Sequence, residues 1–347
     1  MTKLINIGLQ GGGAHGAFSW GALDKLLEDG RIKIEALSAT SAGSMNAVIY
    51  SYGLHNGGRE GARDLLHQFW KRISELGKMY SPVHLLSLEH INGGWNVDKS
   101  IGYSVFETIT TAFSPYQFNP LQLSPLQDVL EELIDFEDLR KCSVVKLFLS
   151  ATNVRTGRIR VFPIEELTVE AVLASACLPN LFQSVQIGSE FYWDGGYSGN
   201  PAIFPLFYNT KSRDILIIHT NPIERNEIPK TVGDILNRII EITFNSALLK
   251  EIRAVIFVQK LLREGWLKEE YRGHFKDILL HSIRGDETMS ELSVPSKFNT
   301  DWDFLLYLFK KGCDAAGVWI QKNYSHLGKN STVDLSRDFL QSDDRLD

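Results

Sequence analysis

The sequence contains the decapeptide Leu37-Ser-Ala-Thr-Ser41-Ala-Gly43-Ser-Met-Asn46, in which a strand pattern changes into a helix pattern at a serine. The extended segment covers residues 34–40, and the helical pattern covers residues 42–52. This order is typical of a nucleophile elbow, a sharp turn that exposes a serine hydroxyl at the N-terminus of a helix. A serine is also an ordinary helix N-cap, so the decapeptide alone leaves a catalytic and a structural interpretation open.

A glycine-rich segment upstream follows the same order of elements. A strand pattern at residues 4–9 leads into Gly11-Gly12-Gly13-Ala-His15-Gly16 and then into a helix. Consecutive glycines let backbone N–H groups point into a cavity without obstruction by a Cβ atom, which favours an anion-binding nest. In a serine hydrolase, such a nest would hold the oxyanion of the tetrahedral intermediate.

A third segment places a carboxylate beside glycines, in Phe191-Tyr-Trp-Asp194-Gly195-Gly196. Asp194 follows an aromatic strand pattern and precedes a glycine turn that leaves room around the carboxylate. For an isolated Asp-Gly pair, a β-hairpin turn is the commoner interpretation. A catalytic role for Asp194 is therefore supported only when the other two segments are considered together with it.

In this order and spacing, the three segments resemble the patatin-like phospholipase family, which has a glycine-rich loop, then G-x-S-x-G, then D-G-G or D-G-A. The resemblance covers residues 4–207 and includes Ala174-Ser-Ala-Cys-Leu-Pro179 and Asn200-Pro201. Two positions depart from the family pattern. Ala39 replaces the first glycine of the elbow, and His15 stands where many members carry Arg or Lys.

The resemblance implies an α/β fold, a three-layer α/β/α sandwich with a mainly parallel central sheet. It also implies a phospholipase, or another lipid ester hydrolase, that needs no metal and no cofactor. Ser41 would attack the ester carbonyl, and Asp194 would accept the serine proton directly. Because an unperturbed aspartate is a weak base, we expect burial to raise the pKa of Asp194. The other implied site residues are the oxyanion donors Gly11, Gly12 and Gly13, the supporting His15, and the elbow and turn residues Ala39, Gly43, Gly195 and Gly196.

Other functions fit parts of the pattern. Gly11-x-Gly13-x-x-Gly16 satisfies a dinucleotide-binding fingerprint, but the second strand ends at Thr40 without the acidic residue that would bind a ribose. A Ser-Asp-His esterase would use His219 or His281, yet a nucleophile at position 41 leaves only one strand before its own. Both histidines are therefore interpreted as ordinary strand residues. A binding module without chemistry stays open if the serine is unreactive.

Composition agrees with a globular enzyme. The 347 residues are 44% hydrophobic and 22% charged, which suits a chain with a large core. The net charge is −6, so the protein as a whole has no positive field that would attract nucleic acid. The cysteines lie far apart, which predicts free thiols in a reducing compartment, at Cys142, Cys177 and Cys313. We expect no signal peptide, because the first strand begins almost at Met1, and no transmembrane helix, because no apolar run reaches about 18 residues.

These features favour a cytoplasmic protein that contacts lipid peripherally, and they are compatible with an exported effector without a cleaved signal. We expect a catalytic domain at residues 4–207, a strand and helical elaboration at 208–330 packed on the same domain, and a mobile tail at 331–347. Residues 79–124 cluster proline, glycine and aromatic residues, which is typical of either a cap over the site or an irregular buried insertion. The helical stretch 234–266 fits either a helix that faces lipid or one that packs into the core.

Overall fold

The computed structural model describes residues 2–80, 95–98, 100–225, 228–334 and 338–339. The strands are β1 (Lys3–Leu9), β2 (Ile32–Ala39), β3 (Lys146–Asn153), β4 (Ile159–Pro163), β5 (Val185–Ile187), β6 (Glu190–Asp194), β7 (Asp214–His219) and β8 (Leu279–Arg284). The helices are α1 (Gly16–Asp29), α2 (Ala42–Tyr80), α3 (Ile101–Ala112), α4 (Pro115–Phe118), α5 (Pro125–Leu133), α6 (Phe136–Leu139), α7 (Val169–Ser175), α8 (Phe204–Asn209), α9 (Val232–Arg263), α10 (Glu269–Arg272), α11 (Asp286–Glu291) and α12 (Trp302–Asn323).

One mixed sheet forms the centre of the fold, in the order β5-β6-β3-β2-β1-β7-β8, with β4 paired to β3. Strands β3, β2, β1, β7 and β8 run parallel, whereas β4 and β6 run antiparallel to β3. Parallel strands covered on both faces are expected to be apolar throughout, and every residue of β7 is buried. The mainly parallel sheet predicted from the sequence is confirmed.

Side chains of the parallel strands alternate between two cores. Leu216 and Ile218 of β7 join the core that α1, α2 and α12 close on one face. Ile215 and Ile217 join the core that α8 and α9 close on the other face. The period of two residues along a strand thus divides the apolar residues between two helical layers. The three-layer α/β/α sandwich is confirmed.

The C-terminal ends of β2 and β6 meet at one edge of β3. Leu149 pairs with β2 and β4 at once, and Ala151 pairs with β4 and β6 at once. Because a strand has only two edges, β2 and β6 lie end to end on the edge opposite β4. Ala39 pairs with Leu149 and Asp194 with Ala151, so the two strand ends are roughly 7 Å apart along β3.

Helix α2 covers two helical patterns of the sequence. Gly58 has non-helical angles within it, φ 61° and ψ −151°, so a helical segment lies on each side of this residue. The first segment leads away from the elbow, and the second brings Phe69 and Trp70 into the core beside α1. Phe69 and Trp70 pack edge to face, with ring centroids 5.5 Å apart.

Part of the predicted cap, residues 81–94 and 99, lies outside the described residues. The described part forms α3 and α4, and Trp95 packs against Phe304 and Tyr307 of α12 with ring centroids 5.4 Å apart in both pairs. Trp95 therefore belongs to the core. Within the predicted tail, the Ser331 hydroxyl accepts a hydrogen bond from Leu280 N, and Thr332 N donates to Leu280 O. Mobility of the cap and of the tail stays a prediction.

Helices α1 and α12 pack with their backbones in contact. A Cβ atom added to Gly312 of α12 would collide with the carbonyl oxygen of Phe18 and would lie 2.9 Å from Ala22 N. A Cβ atom added to Gly317 of the same helix would meet only the Lys25 side chain, at 3.5 Å. The close helix pair therefore depends on the first glycine and is indifferent to the second.

We predict that Gly312→Ala lowers the melting temperature by several degrees, because overpacking of a helix contact costs about 1–3 kcal/mol. Gly317→Ala is the matched control. It should keep or raise the melting temperature, since alanine is favoured over glycine in a helix by about 1 kcal/mol. Thermal unfolding followed by circular dichroism measures both variants. Equal shifts in the two variants would show that the helices are not held at this distance.

Candidate active site

Ser41 occupies the turn between β2 and α2. Its φ angle is 56°, in the left-handed region that residues other than glycine rarely adopt and that costs roughly 1–3 kcal/mol. The surrounding structure compensates, because Ser41 N donates to both the carbonyl and the hydroxyl oxygen of Ser175, each at 3.1 Å. The side chain is therefore held at the N-terminus of α2 in a strained turn, and the residue is 8% exposed.

The residues around Ser41 are small because β1 and α2 approach each other closely. A Cβ atom on Gly43 would lie 2.5 Å from the carbonyl oxygen of Leu9. Ala39, which replaces the first elbow glycine of the family pattern, pairs with Leu9 of β1 and is fully buried in the core. The methyl group at position 39 is thus accommodated by packing, and the sharp turn is formed.

Asp194 is the last residue of β6 and is fully buried. Its Oδ1 accepts a hydrogen bond from Gly196 N at 2.7 Å, whereas its Oδ2 has no hydrogen-bond partner among the described residues. Its backbone is fixed by hydrogen bonds to Cys177 O and from the Thr152 hydroxyl. A 3₁₀ turn (Gly195–Tyr197) follows, so the Asp-Gly pair does not form the hairpin turn that is its commoner use.

Burial raises the pKa of Asp194 to about 7. The Gly196 N–H and the Ser41 hydroxyl oppose this shift, because both stabilise the ionised carboxylate. The serine hydroxyl is therefore near this carboxyl group, but no hydrogen bond joins it to Oδ2. Asp194 Oδ2 is therefore a free hydrogen-bond acceptor near the Ser41 hydroxyl.

The glycine loop lies against the elbow. A Cβ atom on Gly11 would be 2.5 Å from Ser41 Cβ, so a side chain there would displace the serine. Gly11 N donates to Asn200 Oδ1 at 2.7 Å, which differs from the free donor expected from the sequence. The N–H groups of Gly12 and Gly13 have no acceptor in the described part of the chain. Two of the three expected donors are thus open.

His15 contributes no charge to the loop. It is fully buried, and its Nε2 lies 2.7 Å from the Ser296 hydroxyl. Burial lowers the pKa of His15 well below its usual value, and the nearby cations Lys297 and Arg225 lower it further. The imidazole is neutral at pH 7 and acts as a packing and hydrogen-bonding group behind the loop.

Hydrogen bonds from several polar residues support the loop. Gln10 Oε1 accepts hydrogen bonds from the backbone N–H groups of Thr220 and Asn221, each at 3.1 Å, and Gln10 Nε2 donates to Asn200 O. Lys297 Nζ donates to Asn221 Oδ1 at 2.7 Å. Only the folded structure identifies the three that are distant from the loop in sequence and carry no local motif, namely Thr220, Asn221 and Lys297.

Neither strand histidine is hydrogen-bonded to Ser41 or Asp194. His219 is fully buried against Phe339, and burial lowers its pKa to about 3. His281 Nε2 is 2.9 Å from Asp214 Oδ1, where β7 begins, so it belongs to the opposite end of the sheet from Ser41. Both histidines are strand residues with structural surroundings.

The described residues contain no group of three or more His, Cys, Asp or Glu side chains arranged to hold a metal ion. The cysteines are free thiols, as the sequence predicts, at Cys142, Cys177 and Cys313. In the same part of the chain, no helix combines the length and the apolar composition that a membrane span requires.

The sequence model of the family described as patatin-like phospholipase matches residues 8–207, more than half of the chain. No curated protein sequence matches. The fold is similar to VipD from Legionella pneumophila, at 15% identity and a TM-score of 0.42 over 92% of this chain and 67% of that one. It is also similar to the ExoU–SpcU complex of the type III secretion system of Pseudomonas aeruginosa.

For the ExoU–SpcU structure the identity is 14% and the TM-score 0.37, over 93% of this chain and 52% of the matched chain. The protein thus spans about two thirds of the first of these relatives and about half of the second. The family predicted from the three ordered motifs is confirmed. The chain belongs to the patatin-like phospholipase family and is an enzyme of the esterase and phospholipase class.

Proposed function

We propose that this protein is a serine lipid acyl hydrolase in which Ser41 attacks the ester carbonyl and Asp194 accepts the serine proton directly. The substrate is a phospholipid or another lipid with a carboxylic ester. The observation that carries the proposal is the buried carboxyl group of Asp194, whose Oδ2 is unpartnered beside the strained serine. Hydrolysis of either kind of lipid ester would use Ser41 and Asp194 in the same roles.

The environment of Asp194 suits it to the role of base. An aspartate with an ordinary pKa near 4 holds protons too weakly to take one from a serine hydroxyl at useful rates. With a pKa of about 7, the group is partly ionised at neutral pH and binds the transferred proton much more tightly. Because Oδ1 is occupied by Gly196 N–H, the proton would be taken by Oδ2.

Attack by Ser41 Oγ would form a bond to the carbonyl carbon and leave a negative charge on the carbonyl oxygen. We assign the stabilisation of that oxyanion to the open N–H groups of Gly12 and Gly13. Gly11 is assigned a scaffold role, since Asn200 already accepts from its N–H. One such donor typically contributes about 3–4 kcal/mol to the stability of the transition state.

Collapse of the intermediate would break the bond to the leaving alcohol, which takes the proton from Asp194. The product of this step is an acyl-enzyme on Ser41. Asp194, ionised again, would then remove a proton from a water molecule that attacks the acyl group. The fatty acid leaves, and the serine recovers its proton.

Helices α3 and α9 present exposed apolar side chains beside this site. We call them the α3–α9 surface: Ile101, Val105, Ile109, Phe113, Val232, Ile235, Leu236, Ile239 and Ile242, each at least 39% exposed. They recur every three or four residues along each helix, as in an amphipathic stripe. The two helices are adjacent where a Cβ atom added to Gly233 would lie 2.8 Å from the Glu107 carboxylate.

In its N-terminal half, helix α9 turns polar residues inward and apolar residues outward. Glu241 is 1% exposed and is bound by Arg225 and Arg238, whereas the adjacent Ile242 is 53% exposed. One turn onward, Phe244 packs against Tyr197, beside the Asp194 turn. An apolar stripe in water is unfavourable, so we infer that it contacts the lipid surface from which the ester is drawn.

We predict that Ser41→Ala and Asp194→Asn each reduce turnover of a soluble short-chain ester by about a thousandfold or more, and that the double variant is no worse, because the two residues act as a unit. His219→Gln is the control for a histidine base and should stay within roughly tenfold of wild type. If His219→Gln folds but is as inactive as Ser41→Ala, the base is His219 and not Asp194.

The pH dependence follows from the raised pKa of Asp194. A base must be ionised to act, so kcat should rise as the pH approaches about 7 and should fall roughly tenfold for each unit below that value. Initial rates on an ester that does not itself titrate provide the profile. A rate that stays flat down to pH 5 would mean that the base has an ordinary carboxyl pKa.

The lipid contact is tested by the double substitution of Ile239 and Ile242 to Gln. We expect the rate on phospholipid vesicles to fall about tenfold or more, because two partly buried apolar side chains no longer enter the lipid. The rate on a soluble ester and the melting temperature should not change. Val318→Gln, a 51% exposed position on α12, is the matched control. Equal losses on both substrates would exclude a lipid-contacting role.

A further inference from the structure

The carbonyl oxygen of Gly11 accepts two hydrogen bonds from the segment that follows β7. Asn221 Nδ2 donates to it at 2.6 Å, and the Thr220 hydroxyl donates at 2.9 Å. Both residues are buried, so these bonds are shielded from water. The carbonyl of Gly11 and the N–H of Gly12 belong to one peptide unit. Hydrogen bonds to the carbonyl therefore make that N–H a stronger donor.

Asn221 is oriented by a lysine. Lys297 Nζ, which can only donate, lies 2.7 Å from Asn221 Oδ1. The amide nitrogen of Asn221 must then face the Gly11 carbonyl, which can only accept. A chain of hydrogen bonds, which we call the relay, thus runs from the ammonium group through the amide to the Gly11–Gly12 peptide. The backbone of Lys297 also borders the loop, because its carbonyl oxygen would lie 2.5 Å from a Cβ atom on Gly13.

The ammonium group is enclosed by charged neighbours. Burial lowers the pKa of Lys297 to about 8, Glu241 opposes this shift, and Arg225 adds to it. Arg238 is paired with Glu241, and His15 is neutral. Arg225 is bound by Glu241 and by the backbone carbonyls of Ser290 and Leu292. Lys297 is therefore the cation whose hydrogen bonds lead to the loop.

We propose that Lys297, acting through Asn221, is a positioning residue that polarises the Gly11–Gly12 peptide and so strengthens the oxyanion hole. This inference rests on the proposed serine hydrolase function. The ammonium group touches neither the substrate nor Ser41. Its positive charge favours the oxyanion through the relay, so its removal should lower kcat and leave KM unchanged.

The relay also gives the enzyme an alkaline limit. Lys297 carries its charge below its pKa of about 8 and loses it as the pH rises through that value. Asp194 becomes ionised as the pH rises through about 7. The kcat profile should therefore rise near pH 7 and fall near pH 8. The falling limb belongs to the lysine and the rising limb to the aspartate.

The test compares Lys297→Met and Lys297→Arg in the full chain, with a soluble short-chain ester as substrate. We expect kcat of Lys297→Met to fall about tenfold or more, with an unchanged KM and no falling limb near pH 8. Lys297→Arg, which stays charged, should keep most of the activity and move the limb to much higher pH. Lys276→Met is the matched control, since that ammonium group donates to Thr210 O just before β7.

A Lys297→Met variant that keeps full kcat and the falling limb would overturn the relay. If that variant fails to fold, the arginine variant decides, because an alkaline limb that stays near pH 8 also overturns it. Asn221→Asp, which can pair with the lysine but cannot donate to Gly11, should lose activity as Lys297→Met does. Loss of the proposed function itself looks different, since wild type would then show no turnover that depends on Ser41.

Discussion

The proposed site depends on the way two strands share one edge of β3. Strand β2 pairs with the first half of β3, and β6 pairs with the second half in the opposite direction. The two strands therefore end against each other: β6 ends at Asp194, and β2 ends at Ala39, two residues before Ser41 in the turn. Since the register fixes where the strands end, it brings the serine close to the carboxyl group.

Burial at that junction gives the carboxyl group its chemistry. Asp194 is fully buried there, and a raised pKa is the consequence. Gly196 N–H donates to one carboxyl oxygen, and the other has no hydrogen-bond partner among the described residues. The glycine loop next to the serine is held by hydrogen bonds with Asn200, Thr220 and Asn221, so its open donors are in place before substrate arrives.

Local motifs predicted the strands and helices that flank the serine turn and the glycine loop. In both places a strand pattern ends in small residues and continues as a helix, and nearby residues decide this change. Local motifs also predicted the serine, the loop and the aspartate. Other parts of the site depend on contacts across hundreds of residues. Gly11 N–H donates to Asn200, and the Gly11 carbonyl accepts from Asn221, and the sequence pattern does not show that either residue contacts the loop.

Helix α9 shows a second limit of sequence reasoning. Its periodicity predicted a helix with an apolar stripe but did not decide between a stripe in the core and one that faces lipid. The structure shows a core stripe that includes Leu248 and Ile252 and an exposed stripe that includes Ile239 and Ile242. Contact of the exposed stripe with lipid is our proposal. On the inward face of the N-terminal half, Glu241 is buried and paired with Arg225 and Arg238, which no local pattern in the sequence predicts.

The central claim is that Asp194 directly activates Ser41. Reaction of the protein with a fluorophosphonate probe, followed by peptide mass spectrometry, measures the reactivity of the serine without any lipid substrate. We predict an adduct on Ser41 that forms faster as the pH rises through about 7 and that forms far more slowly in Asp194→Asn. An adduct on another residue, or one that forms on Ser41 at the same rate in the Asp194→Asn variant, would contradict the account.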